Sequence, residues 1–123
     1  MTKKSEIGKK GEEIAANYLK NKGYKIITQN YRKKFGEIDI IVRAPDRSMI
    51  FIEVKTVLLN ERIGVEPEDN VTTQKLNIVK RTANFFAASH PELIDEDRGW
   101  RIDLIAIDLS QNGKFAIRHY ENI

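Results

Sequence analysis

A chain of 123 residues with 41% hydrophobic and 32% charged residues has the size and balance of one globular domain with its own core, and a single domain over residues 1–123 is expected. It contains no cysteine, which excludes disulfide staples, thiol chemistry and thiolate zinc sites, and its two histidines, His90 and His119, show no paired ligand spacing and read as surface or packing residues. The net charge of +3 conceals an asymmetry: residues 1–34 hold ten Lys/Arg against three Glu (+7) and the remainder eleven against fifteen (−4), so a basic surface open to a polyanion is expected, although a solvated lysine-rich helix face gives the same count.

The N-terminal residues Met1 to Glu6 contain no apolar signal region and no run of the chain approaches transmembrane length, which makes the cytoplasm the expected compartment. Ile7, Gly11, Ile14, Ala15, Tyr18 and Leu19 recur at helical spacing and predict an amphipathic helix from about Ser5 to Lys22, ended by Gly23 as C′. On that helix Glu12 borders the apolar stripe while Glu13 points away. Glu12 therefore reaches either toward the sheet or to a neighbour such as Lys9 on the helix flank. Gly8 and Gly11 inside a helix cost about 1 kcal/mol each relative to Ala, a cost that close approach of another backbone or of a phosphate would explain.

Tyr24 to Tyr31 reads as a first strand. Arg32-Lys33-Lys34 follows as a basic turn, either a phosphate-contacting loop or a solvated one. The stretch from Phe35 to Val57 then holds two β-rich runs about the break Ala44-Pro45-Asp46-Arg47-Ser48, which predicts a hairpin. Folding it about Asp46 pairs Ile38 with Val54, Ile40 with Ile52 and Val42 with Ile50, an even-numbered face that is wholly apolar and belongs to the core. On the odd face Phe35 meets Val57 and Ile41 meets Phe51, while Glu37 lies opposite Lys55 and Asp39 opposite Glu53.

Opposed side chains in such a pair have Cβ atoms roughly 4.5–5.5 Å apart, and like charges there are destabilising. A divalent cation would give Asp39 and Glu53 a reason to face each other, since Mg²⁺ takes oxygen ligands from one or two carboxylates, water and phosphate. Lys55 points to the same face. The plainer alternative is a cross-strand ion pair between Glu37 and Lys55, with Asp39 and Glu53 splayed into solvent.

Leu58 to Asn70 lacks periodicity and flanks this face, as functional loops often do. Thr72 is placed to cap a second helix whose buried stripe is Leu76, Val79, Ala83, Phe86 and Ala87. Gln74 and Lys75 occupy its first turn, where free N–H groups attract anions. An acidic linker, His90 to Gly99, leads to an apolar and central strand, Trp100 to Leu109. Asn112-Gly113 signals a two-residue hairpin turn and Lys114 to Tyr120 a closing strand. The order is helix, three strands, helix, two strands, an α/β arrangement with a mixed sheet of about five strands flanked by two helices.

Over nearly its whole length this pattern resembles the YraN family of bacterial proteins, through Gly8-x-x-Gly11-Glu12-x-x-Ala15-x-x-x-Leu19, Gly36-Glu37-Ile38-Asp39, Phe51-Ile52-Glu53-Val54-Lys55 and Arg101-Ile102-Asp103. That family is similar to the restriction-endonuclease-like, PD-(D/E)XK nucleases, with archaeal Holliday-junction resolvases nearest in pattern. The resemblance implies a restriction-endonuclease-like fold. It implies Asp39 and Glu53 as ligands of Mg²⁺ or Mn²⁺, the backbone carbonyl of Val54 as a further ligand, Lys55 as the catalytic lysine and Glu12 as a helix-borne acid. Two positions depart from the pattern: Ile38 stands where the motif has proline, and Val57 where family members commonly carry Arg.

The expected function is thus a metal-dependent endonuclease of structured or branched DNA, with Lys9, Lys10, Arg32, Lys33, Lys34 and Lys75 gripping phosphates. A homodimer is an expected assembly and no membrane partner is. The alternative is a non-catalytic nucleic-acid-binding or partner-scaffolding module that keeps the fold, and a structural domain with a surface ion-pair ladder is a third reading.

Overall fold

A computed structural model describes residues 3–59 and 72–123. The chain runs α1 (Lys3–Asn21), β1 (Lys25–Lys33), β2 (Gly36–Arg43), β3 (Met49–Leu58), α2 (Thr73–Ser89), a 3₁₀ turn (Pro91–Leu93), β4 (Trp100–Leu109) and β5 (Phe115–Tyr120), the expected order. The predicted stretch from Leu58 to Asn70 lies mostly outside the described residues.

The five strands form one sheet in the order β1-β2-β3-β4-β5. Among the described residues its only parallel pair is β3 with β4. Parallel neighbours need a long crossover, and α2 lies within it. Each helix covers one face. Ile14, Ala15 and Leu19 of α1 pack with Ile40, Val42, Ile50, Ile52, Ile105 and Ile107, while Val79, Ala83 and Phe86 of α2 pack with Ile41, Met49, Phe51 and Ile102. Residues alternating along β2 and β3 thus enter two cores, which is why those strands read as continuous apolar runs.

Local signals account for the element ends. Gly23 adopts φ +88° past α1, and the Thr72 hydroxyl accepts from the Lys75 N–H at 3.0 Å to cap α2. The basic tripeptide is divided: Arg32 and Lys33 extend β1 and only Lys34 lies in the turn. The last hairpin has a longer connection than two residues, because Leu109 pairs with Phe115 and residues 110–114 close the loop around Gly113 at φ +88°.

The two interior glycines of α1 differ. A Cβ on Gly11 would overlap the Thr56 side chain, so its absence lets α1 lie directly on β3, whereas a Cβ on Gly8 would meet nothing within 4 Å among the described residues. Gly36 behaves like Gly11: a Cβ there would overlap the Thr82 hydroxyl and come within 2.7 Å of Ile78. Thr82 itself is fully buried and donates to the Ile78 carbonyl at 2.8 Å.

A polar network ties α1 to the far edge of the sheet. The buried Asp103 accepts from Arg101 Nε (2.9 Å) and from the Asn122 N–H (2.9 Å), and its other oxygen lies 2.8 Å from His119 Nε2. An ionised carboxylate only accepts, so Nε2 donates, and in the neutral ring Nδ1 accepts the Tyr18 hydroxyl proton across 2.9 Å. Burial alone would push Asp103 up; the bonds from His119, Arg101 and Asn122 outweigh it and hold its carboxyl below the ordinary range. His90 packs on Phe86, with ring centroids 4.6 Å apart, the packing role expected of it.

Candidate active site

The hairpin register expected from the sequence is observed where the two strands pair: Ile40 faces Ile52, Ile41 faces Phe51 and Val42 faces Ile50. Pairing then stops, while β3 continues alongside β4 as far as Leu58. At the next rung the Asp39 side chain replaces the ladder, its Oδ2 accepting from the Val54 N–H at 2.8 Å. Strict alternation breaks here too. Ile38, expected on the even face opposite Val54, packs instead in the α2-side core with Ile41 and Phe51.

The diverging strands open a cavity of about 770 Å³ lined by Glu12 and Gly8 of α1, Glu37 and Asp39 of β2, Glu53, Val54, Lys55 and Thr56 of β3 and Lys75 of α2. Four carboxylates and two lysines from four elements therefore face one space. The structure brings together Glu12, Asp39, Glu53, Val54 and Lys55, and Glu12 faces the cavity rather than only the helix flank. Gly11 makes this placement, because without a Cβ it seats the adjoining turn of α1 against Thr56.

Two rungs are arranged otherwise than expected. Glu37 pairs with Arg32 on the neighbouring strand, 3.1 Å apart, rather than standing across from Lys55. Lys75 binds Glu53 at 2.8 Å, where an anion-binding role was expected of it. Nothing in the local sequence signals that second pair, since it joins α2 to β3 and depends on how the helix crosses the sheet.

Crowding of acids raises their proton affinity. Asp39 is pushed up to about 7, first by burial, then by the charge of Glu53 and, less, by Glu12 and Glu37, against the lowering bond from Val54. Burial likewise raises Glu12, helped by Glu37 and Glu53 and opposed by Arg32. Burial pulls Lys75 down, but its bond to Glu53 and the charges of Glu53, Asp39 and Glu37 outweigh it, so the ammonium form is favoured.

A second groove of about 430 Å³ continues from the first, sharing Glu37, Glu53 and Lys75 and extending along Arg32, Lys33, Lys34, Phe35 and Ile78. Lys10 lines a third hollow beside Ile7 and Leu58, which themselves border the acid cavity, and Lys9 is exposed on α1. Among the expected basic residues, four line the second groove and Lys10 lies at the opposite margin. No helix among the described residues is long and apolar enough to cross a membrane.

The sequence model of the uncharacterised protein family UPF0102 matches residues 11–107, a span containing Glu12, Asp39, Glu53, Lys55 and Lys75. The chain is 38% identical over 117 residues to a UPF0102 protein of Syntrophomonas wolfei, covering 95% of this chain and 96% of that one. It is also 38% identical to UPF0102 proteins of Alkaliphilus oremlandii, over 95% of this chain and 96% of that one, and of Pelobacter propionicus, over 94% and 79%.

Proposed function

We propose that this chain, which belongs to the UPF0102 (YraN) family, is a Mg²⁺- or Mn²⁺-dependent endonuclease that hydrolyses phosphodiester bonds in structured or branched DNA. The observation that carries this reading is the convergence of Glu12, Asp39, Glu53 and Lys55 on one cavity where β2 and β3 part.

The donor set suits a hard divalent cation. Such ions take oxygens from one or two carboxylates, with water and substrate phosphate completing the shell, and Asp39, Glu53 and the Val54 carbonyl are donors of that kind. Among the described residues no three acidic or histidine side chains already converge at ligand spacing, and in this reading the protein's share is two carboxylates and one carbonyl. The raised Asp39 fits as well, because its excess proton affinity comes from neighbouring negative charge that a cation would offset. When bound, the cation would acidify a water and stabilise charge on the scissile phosphate.

The remaining roles fall to the chain's own groups. Lys55, on the cavity wall two residues beyond Glu53, orients the attacking water and offsets charge developing on the phosphate. Glu12 is held by α1 on the same wall and, with its raised proton affinity, is placed to exchange a proton with water there. Lys75 keeps Glu53 turned into the cavity; once exchanged off that carboxylate, its ammonium can meet a phosphate. Arg32, Lys33 and Lys34 along the second groove, with Lys9 and Lys10 on α1, are the proposed grips on flanking phosphates.

The Glu53–Lys75 ion pair favours a second reading, a nucleic-acid-binding module without catalysis, since an acid already satisfied by a lysine has less need of a metal. The two are separated by incubating duplex, single-stranded, flap and four-way-junction DNAs with the protein and Mg²⁺ or Mn²⁺. The nuclease reading expects wild type to cut at least one of them and Glu53→Gln to cut none. Salt-sensitive binding without cutting by wild type in either metal would replace it with the second.

A further inference from the structure

Beyond the acid cavity, the second groove ends on a group of aromatic rings and cations of which the proposed function uses only Lys33. Phe35, from the β1–β2 turn, meets Phe85 of α2 edge to face, with centroids 5.4 Å apart. Arg81 lies over the Phe35 ring at 4.7 Å, and the Lys33 ammonium lies over the Phe85 ring at 5.4 Å. Phe85 remains 43% exposed and Ile78, one turn before Arg81, 39% exposed. Neither belongs to the buried stripe of α2, so their apolar surface is held out to solvent beside cations.

We infer that Phe35, Phe85 and Arg81 form a stacking platform for an unpaired nucleotide base, with Lys33 and Lys34 holding its phosphates, so that the substrate has a single-stranded segment beside the bond that is cut. This rests on the reading of the chain as a DNA-acting protein and narrows its substrate. Aromatic faces and guanidinium planes accept any base by stacking, and a positively charged track follows the backbone. Charge selects this occupant. Among the described residues the two acids lining the groove, Glu37 and Glu53, are each bound by a cation, Arg32 and Lys75, while Lys33, Lys34 and Arg81 add three positive charges at its end. The groove shares Glu37, Glu53 and Lys75 with the acid cavity, so a strand whose base stacks on the platform is led toward Asp39 and Glu53.

The test measures binding in EDTA, apart from cleavage, using a fluorescent blunt duplex and the same duplex carrying a single-stranded tail. Wild type should bind the tailed duplex more tightly, and Phe85→Ala should weaken that binding about tenfold, the order expected for one lost base stack, with little change for the blunt form. Phe85→Trp should keep the preference, and its added fluorescence should be quenched when tailed DNA binds. An equal loss on both DNAs, no loss in Phe85→Ala, or an unquenched Trp would overturn the platform even if wild type cleaves DNA. Tail preference lost in Phe85→Ala, in a protein that cleaves nothing with Mg²⁺ or Mn²⁺, would keep the platform and remove the nuclease reading. Failure of wild type to bind any DNA would remove both. An acidic peptide that binds the same face in place of DNA would likewise overturn it.

Discussion

Asp39 and Asp103 stand on strands of the same sheet and are treated in opposite ways. Around Asp103 the fold supplies a guanidinium, an imidazole and a backbone N–H, and its carboxyl is held below the ordinary range. Around Asp39 it supplies one N–H and three more carboxylates, and Asp39 is pushed up to about 7. Both acids are short of water, so burial does not separate them; their neighbours do. A carboxylate given its full set of donors closes a structure, whereas one crowded by other carboxylates at a cavity wall keeps a raised proton affinity.

The largest expected effect breaks the satisfied member of the pair. Asp103→Ala removes the acceptor shared by three residues, leaving Arg101 and His119 facing a void, and should lower stability by about 3 kcal/mol in urea melts. A loss under about 1 kcal/mol would show the network to be dispensable. In wild type this contribution has a definite pH sense. A depressed folded pKa adds stability that is fully present above the ordinary carboxylate range near 3.8 and is lost as pH falls below it.

The crowded member is probed with cation. If Asp39 and Glu53 hold Mn²⁺ or Mg²⁺ in the native state alone, metal at about one hundred times its dissociation constant should stabilise wild type by about 2.7 kcal/mol, and Asp39→Asn by far less. Thermal melts with and without metal at pH 8 check this; equal shifts in the two proteins would remove Asp39 from the metal site.

Without metal the sign reverses. A carboxylate whose folded pKa is raised from 3.8 to about 7 destabilises the native state as pH rises through that window, with the full penalty above pH 7. A tenfold change in proton affinity is worth about 1.4 kcal/mol, and Asp39→Asn keeps an acceptor for Val54. The variant is therefore expected to exceed wild type by at least that amount at pH 8, with the gap closing toward pH 4. A variant less stable at pH 8 would mean that Asp39 is satisfied as Asp103 is. Glu53→Gln is a poorer probe of repulsion, since it also gives up the Lys75 pair.

The smallest effect concerns the helix that carries Glu12. Gly8 lies against open space and Gly11 against Thr56, so Gly8→Ala should raise stability by about 1 kcal/mol through helix propensity. Gly11→Ala should lower it and displace Glu12. Circular dichroism melts of the two variants side by side measure the difference, and matching changes would mean that α1 does not rest on Thr56.

Much of this molecule is legible in its sequence because much of it is decided by neighbours along the chain. Apolar recurrence marks α1 and α2, Gly23 and Thr72 mark their ends, and the break at Asp46 sets a hairpin register that places Ile40 opposite Ile52 and Ile41 opposite Phe51. Extended by one rung, that register predicts Asp39 near Glu53, and both line one cavity although the ladder itself stops at Ile40. What only the tertiary structure decided are relations between distant elements. Ile38 turns to the α2 side because the ladder ends beyond Ile40, and Glu37 pairs across β1 with Arg32 because that strand extends past Tyr31. Lys75 reaches Glu53, and Tyr18, His119 and Asp103 meet, only after α2 and α1 have been laid on opposite faces of the sheet. Periodicity and turn chemistry act over a few residues, and the sequence displays them directly. A side chain's partner across a helix–sheet packing depends on the crossing of two elements, a property of the assembled core that no local pattern contains.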